Sequence, residues 1–194
     1  MTRDSMRIPH LYLLRHGQSE YQATYDTTRV DPGIEDPRLT ELGRAQVRTA
    51  AEAVRPLEVD LIVASPFTRT LDTALGVAED GAVPVVVDAM VRERLSDSSD
   101  VGRHASVLAR EYPMLDVAHL EEAWWTGGGV LDAAGVLVEP HAHMATRVDA
   151  SLEWLRNREE RSVLLVSHLG FIRSLSGITP ENGVLYEFDS ARRP

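Results

Sequence analysis

A chain of 194 residues, 43% of them hydrophobic, is long enough for a real core and falls among ordinary globular proteins. Its 30 acidic residues against 20 basic ones, a formal charge of -10, exclude the basic footprint of a general nucleic-acid binder and require any site for an anion to be locally basic. The absence of cysteine excludes disulfides, thiolate catalysis and cysteine-ligated zinc or iron–sulfur centres, and no apolar run approaches the roughly 20 residues of a membrane span.

Met1 to Arg7 have no apolar signal core behind them, so a soluble cytoplasmic protein is the expectation. A strand is predicted over His10–Leu14. It stops abruptly at Arg15-His16-Gly17. Arg15 offers a planar fork of donors suited to phosphate oxygens, His16 is an imidazole that can attack or move protons near neutral pH, and Gly17 lets the backbone approach a ligand. The polar stretch from Tyr21 to Pro37, with Asp31-Pro32-Gly33 and Asp36-Pro37, reads as a loop of turns, functional by its length. Thr40 is the expected N-cap of a helix running to about Arg55, with Leu42, Ala45, Ala50, Ala53 and Val54 on its apolar face.

Leu61–Ala64 reads as a short buried strand. Ser65 then reads as a cap and Pro66 as the first position of a helix over Phe67–Glu79. Arg69 in the first turn opposes the helix dipole, so an anion is its natural partner. A strand over Val83–Val87 leads to Glu93, which the local charges Arg92 and Arg94 would otherwise mark as a surface ion-pair residue. Ser96–Asp100 reads as polar loop, Gly102–Tyr112 as a helix ended by Pro113, and Trp124-Trp125 with Gly127-Gly128-Gly129 as an excursion that lines or caps a pocket. His104 is placed on the surface, within reach of a substrate. His141-Ala142-His143 lacks a matching carboxylate cluster and reads as a helix-start pair, not a metal site. A helix is predicted over His143–Arg158, a fully buried strand over Ser162–Ser167 ending at His168, a helix from Leu169, and an edge strand over Val184–Phe188.

Strands alternating with helices predict one α/β domain over residues 1–194, with a mostly parallel sheet covered on both faces. In such a sheet the carboxyl ends of the strands share one rim, which collects Arg15-His16, Arg69, Glu93 and His168. Two arginines around an imidazole make a site for a phosphoryl group. The arginines neutralise its oxygens, the imidazole can take it covalently, and a carboxylic acid can protonate the leaving alcohol.

Arg15-His16-Gly17, Leu39-Thr40-Glu41-Leu42-Gly43-Arg44-Ala45-Gln46, Ser65-Pro66-Phe67-Thr68-Arg69-Thr70 and Ser167-His168 occur in the order found in the histidine phosphatase superfamily. From Leu11 to about Phe188 the chain resembles its phosphoglycerate mutase-like branch. The resemblance implies a three-layer α/β/α sandwich and chemistry without metal or cofactor. It implies His16 as the phosphorylated nucleophile, Arg15, Arg69 and His168 as holders of the phosphoryl group, and Glu93 as proton donor, ahead of Asp88 and Glu79. The substrate-binding set is Arg15, Gly17, Gln22, Arg69, His168 and Leu169. Gln22 stands where the family often has Asn, and Leu169 where Gly is common; the amide of Gln22 and the backbone N–H of Leu169 remain available as donors. The expected function is a phosphomonoester phosphatase acting on a small phosphorylated metabolite, with no nucleic-acid or membrane partner. A phosphoglycerate mutase and a non-catalytic phospho-ligand module are the alternatives.

Overall fold

The computed structural model describes residues 10–78, 81–133 and 135–189. Its elements are β1 (His10–Arg15), α1 (Glu20–Thr28), α2 (Glu41–Val54), β2 (Leu61–Ala64), α3 (Thr68–Val77), β3 (Val85–Val87), α4 (Ala105–Glu111), β4 (Val130–Leu131), β5 (Leu137–Val138), α5 (His141–Arg156), β6 (Ser162–Ser167), α6 (Leu169–Ser176) and β7 (Leu185–Phe188). The main sheet has the order β3-β2-β6-β1-β7. Its first four strands are parallel, and β7 closes the edge antiparallel to β1. The α/β class with a mostly parallel central sheet is therefore as expected.

The parallel strands are continuous apolar runs because both faces are covered. All four residues of β2 and all six of β6 are buried. On one face Leu14, Ile62, Ala64, Leu164 and Val166 pack with α2, α3 and α4. On the other, Leu11, Leu13, Leu61, Val63, Val163 and Leu165 pack with α5 and α6. Register places Arg15 beside Ser167 and Ala64 beside Val166, so β1, β6 and β2 end on one rim. In open α/β sheets, ligands bind at this rim.

Several local expectations give way. The loop expected from Tyr21 to Pro37 begins with α1. This helix is polar and buries only Tyr21, so it lacks an apolar stripe, but it has a capping box: Ser19 Oγ accepts from the N–H of Gln22, and Gln22 Oε1 accepts from the N–H of Ser19. Thr40 caps α2 as expected, through the N–H of Gly43. Leu42, however, is 53% exposed, and Ala53 is exposed too. The buried stripe is Gly43, Val47, Ala50 and Val54. Ser65 and Pro66 do not start α3, which begins two residues later with Phe67 at the N-cap position. Its cap comes from 32 residues upstream, where buried Asp36 accepts from the N–H of Thr68 at 2.9 Å and from its hydroxyl at 2.5 Å. Glu79 lies outside the described residues.

The turn after β1 is fastened to the start of α2 at backbone distance. Thr40 N–H donates to Gln18 O, and a Cβ on Gly43 would sit 2.1 Å from that same oxygen. Alanine at Gly43 therefore forces the turn and the helix apart. It should cost about 1–3 kcal/mol by overpacking. A urea midpoint unchanged from wild type would contradict this close contact.

Candidate active site

The rim residues line one cavity of about 870 Å³, which includes Arg15, His16, Gln22, Arg69, Glu93, His168 and Leu169. His16 follows β1 and its backbone N–H donates to Ser167 O, so the imidazole is set by the β1–β6 pairing. Its Nδ1 lies 2.7 Å from Gly17 O. A carbonyl oxygen only accepts, so the proton is on Nδ1 and the lone pair is on Nε2. Burial, with Arg69 and Arg15 nearby, holds the pKa of His16 well below the usual histidine range. His168 stands at the N-cap position of α6, after β6, without a side-chain capping bond. Its ring lies 5.1 Å from that of His16, edge-on. Burial and the same arginines hold it low as well. Its Nε2 pairs with Ser65 Oγ at 2.9 Å, the contact that takes Ser65 away from the capping role.

Arg69 projects from the first turn of α3. It donates to Ser99 O at 2.8 Å, pairs with Asp100 at 3.4 Å and lies over the Phe67 ring at 4.3 Å. The anion its placement called for is therefore supplied in part by the protein. Burial pushes the Asp100 carboxyl up to about 7 against the opposing pull of Arg69, with Glu93 adding to the rise. Arg15 reaches Pro180 O through one terminal nitrogen at 3.1 Å. Two buried nitrogens of residues that line this cavity, Arg15 Nε and His168 Nδ1, have no hydrogen-bond partner in the protein. Buried donors without partners are rare and call for a ligand or water.

Glu93 reaches the rim from the segment after β3, bound at its ends rather than by an arginine. Its two carboxylate oxygens accept from the N–H of Arg94 and of Gly170, each at 2.8 Å. A Cβ on Gly170 would lie 2.3 Å from Glu93 Oε1, so any side chain there would push the carboxylate from its place. Behind it, Arg147 donates to the carbonyls of Met90, Arg92 and Glu93. Buried Glu139 pairs with both Arg147 and Arg92. Asp88, the weaker acid candidate, instead caps a 3-10 turn through the N–H of Met90 and does not line the cavity.

Other expected site residues are placed differently. Gly17 does not line the cavity. Its N–H donates to Thr73 Oγ1, and a Cβ there would meet Gly43 O at 2.5 Å, so its role is close packing. Gln22 lines the cavity, but its amide is occupied by Ser19 and Asn182, and Asn182 in turn donates to His16 O. Leu169 is the first residue of α6, with one of the free N–H groups of a helix start. The tryptophan region neither lines nor caps the cavity. Trp124 is buried against Phe67 and donates to Arg103 O, and Trp125 packs beside it. His104 sits outside, against Glu122 and Trp125. His141 lines the cavity and His143 bonds Gly128 O. Among the described residues no group of His, Cys, Asp or Glu has the arrangement of a metal site. None of the described helices is long and apolar enough to cross a membrane.

Residues 11–181 match the sequence profile of the histidine phosphatase superfamily (branch 1). A glucosyl-3-phosphoglycerate phosphatase of Mycobacterium tuberculosis (strain ATCC 25618 / H37Rv) is 35% identical over 173 residues, covering 88% of this chain and 75% of its own. One from Mycolicibacterium vanbaalenii is 32% identical over 171 residues, covering 88% and 74%. The solved structure of a mycobacterial glucosyl-3-phosphoglycerate phosphatase in complex with VO3 superposes with a TM-score of 0.57 at 30% identity, covering 86% of this chain and 79% of that one.

Proposed function

The chain belongs to branch 1 of the histidine phosphatase superfamily, and on that premise we propose that it is a metal-independent phosphomonoester phosphatase working through a phosphohistidine at His16 on a small phosphorylated metabolite. The observation that supports this most is the meeting of a neutral imidazole of fixed tautomer, two guanidinium groups and two unpartnered buried nitrogens at one rim. The names of the mycobacterial relatives support the substrate class.

The groups divide the reaction between them. His16 Nε2 attacks phosphorus and the bond to the ester oxygen breaks. Arg15, Arg69 and His168 hold the phosphoryl oxygens, where most of the stabilisation of such a transfer arises. With Ser65 donating to Nε2, His168 presents its Nδ1 proton to one of those oxygens. Glu93 gives a proton to the leaving alkoxide, and the resulting carboxylate then takes one from the water that attacks the phosphohistidine. Phosphate leaves, His16 Nε2 regains its lone pair and Glu93 is again protonated.

Proton donation matters most for a poor leaving group. Glu93→Gln should therefore lower turnover of an alkyl phosphate by about 10²- to 10⁴-fold, and that of p-nitrophenyl phosphate, whose leaving anion is stable, by much less. Gly170→Ala, which displaces the Glu93 carboxylate, should show the same asymmetry. Equal losses on the two substrates would remove Glu93 from the acid's role. Wild-type turnover that disappears with EDTA would argue against a metal-independent reaction.

A further inference from the structure

The residue whose carbonyl fixes the tautomer of His16 is the one least able to hold itself still. A Cβ on Gly17 would meet Gly43 O at 2.5 Å, and the glycine this close approach demands has the widest choice of backbone angles. Two consecutive peptide planes follow the nucleophile, and side chains from three parts of the fold hold them. In the His16–Gly17 peptide, the carbonyl accepts from Asn182 Nδ2 at 2.8 Å and the N–H donates to Thr73 Oγ1 at 3.2 Å. Thr73 is buried on α3, and its one hydroxyl proton goes to Arg69 O at 2.7 Å, so its oxygen meets the Gly17 N–H as an acceptor. In the Gly17–Gln18 peptide, the N–H donates to Gln46 Oε1 at 2.8 Å and the carbonyl accepts from His16 Nδ1 at 2.7 Å.

A trans peptide is planar, with its N–H and C=O pointing opposite ways. Gln46, in the second turn of α2, therefore aims the Gly17 carbonyl by holding the far side of its plane. That carbonyl keeps the ring proton on Nδ1 and the lone pair on Nε2. With the plane turned away, the tautomer that carries its proton on Nε2 would be populated, and it has no lone pair there to attack phosphorus. Gln46, Thr73 and Asn182 all stand outside the cavity lining, so they act on the ring through the backbone.

We infer that Gln46 and Thr73 are positioning residues for the phosphoryl transfer: they hold the two peptides after the nucleophile and, through the Gly17 carbonyl, set the tautomer and aim of the His16 ring. The effect on rate rests on the phosphatase reading above; the effect on the tautomer rests on the geometry alone. Gln46→Met keeps the length of the side chain and loses the acceptor, whereas Gln46→Glu keeps the acceptor. In ¹⁵N spectra near neutral pH, with the His16 signals identified by their absence in His16→Ala, the wild type should show a protonated Nδ1 and a bare Nε2. Gln46→Met should draw the two shifts toward each other as both tautomers become populated. It should also slow the first-turnover release of p-nitrophenolate at saturating substrate by about 10- to 100-fold, the scale set by a small misplacement of a reacting group. Gln46→Glu should restore both. Thr73→Val, with Thr73→Ser to restore it, makes the same comparison at the preceding peptide, so the test does not hang on one variant folding. Wild-type ring shifts or a wild-type first-turnover rate in a folded Gln46→Met or Thr73→Val enzyme overturns the proposal, as does a loss that neither restoring variant repairs. A wild type that releases no p-nitrophenolate, but whose ring shifts still respond to Gln46→Met, ends the phosphatase reading and keeps the hold on the tautomer.

Discussion

Replacing His16 by alanine is expected to lower turnover of p-nitrophenyl phosphate by about 10⁴-fold or more, the scale seen when a covalent nucleophile is removed. The loss should be in kcat, because Arg15, Arg69 and His168 remain to bind the phosphoryl group. The physical reason is the state of the imidazole. Burial and the two arginines depress its pKa well below the usual range, and the carbonyl of Gly17 opposes them only in part. A depressed pKa means the proton is lost at lower pH, so Nε2 is free to attack throughout pH 6 to 8, and histidine ionisation sets no acid limb in that window. Initial rates across that range measure this directly. A His16→Ala enzyme within about tenfold of wild type would place the nucleophile elsewhere.

Glu139→Ala should produce the largest loss of stability. Glu139 is 2% exposed and lies between Arg92, at 3.3 Å, and Arg147, at 2.8 Å. Burial, and after it the nearby Arg147, bring the pKa of Arg92 down to about 10 even with Glu139 opposing them. Removing the carboxylate leaves both uncompensated, at a cost of about 3–5 kcal/mol. For a chain of this size, that is a fall in Tm of about 6–20 °C. Thermal denaturation followed by circular dichroism gives the value. A Tm unchanged from wild type would mean that water or a shifted backbone takes over the role of Glu139. The same variant should slow alkyl ester hydrolysis in the enzyme that remains folded, because Arg147 anchors the backbone carbonyl of Glu93.

What could be read from the sequence follows from the range of the forces involved. The buried strands Leu61–Ala64 and Ser162–Ser167 are apolar runs bounded by polar residues, a local signal, and the Arg15-His16, Arg69, Glu93 and His168 ends follow from the shared rim of a parallel sheet. Thr40 as a cap is likewise local, a contact three residues long. Contacts that cross the chain were not legible. Asp36 reads as a turn residue because its partner, Thr68, is 32 positions away, and Ser65 reads as a cap because its partner, His168, is 103 positions away. Glu139, Arg92 and Arg147 carry no motif, since a buried ion pair is identified only by what surrounds it. The α1 helix did have a local signal, Ser19-x-x-Gln22, but its lack of an apolar stripe hid it behind the turn residues that follow. The tryptophan pair is ambiguous in sequence for a related reason. Large aromatic rings beside glycines fit a pocket cap or a core wedge equally well, and Gly102 provides the wedge: a Cβ there would meet the Trp124 ring at 2.5 Å.

The most direct test of the chemistry is to trap the intermediate. Enzyme mixed with a ³²P-labelled phosphomonoester and quenched in alkali within the first turnover should carry a label that survives base, is lost in acid, and maps to the peptide containing Arg15-His16-Gly17. A label that is lost in base, as expected for an ester on Ser65, or one that maps to His168, would contradict attack by His16. Turnover with no protein-bound label at any time would contradict the covalent route itself.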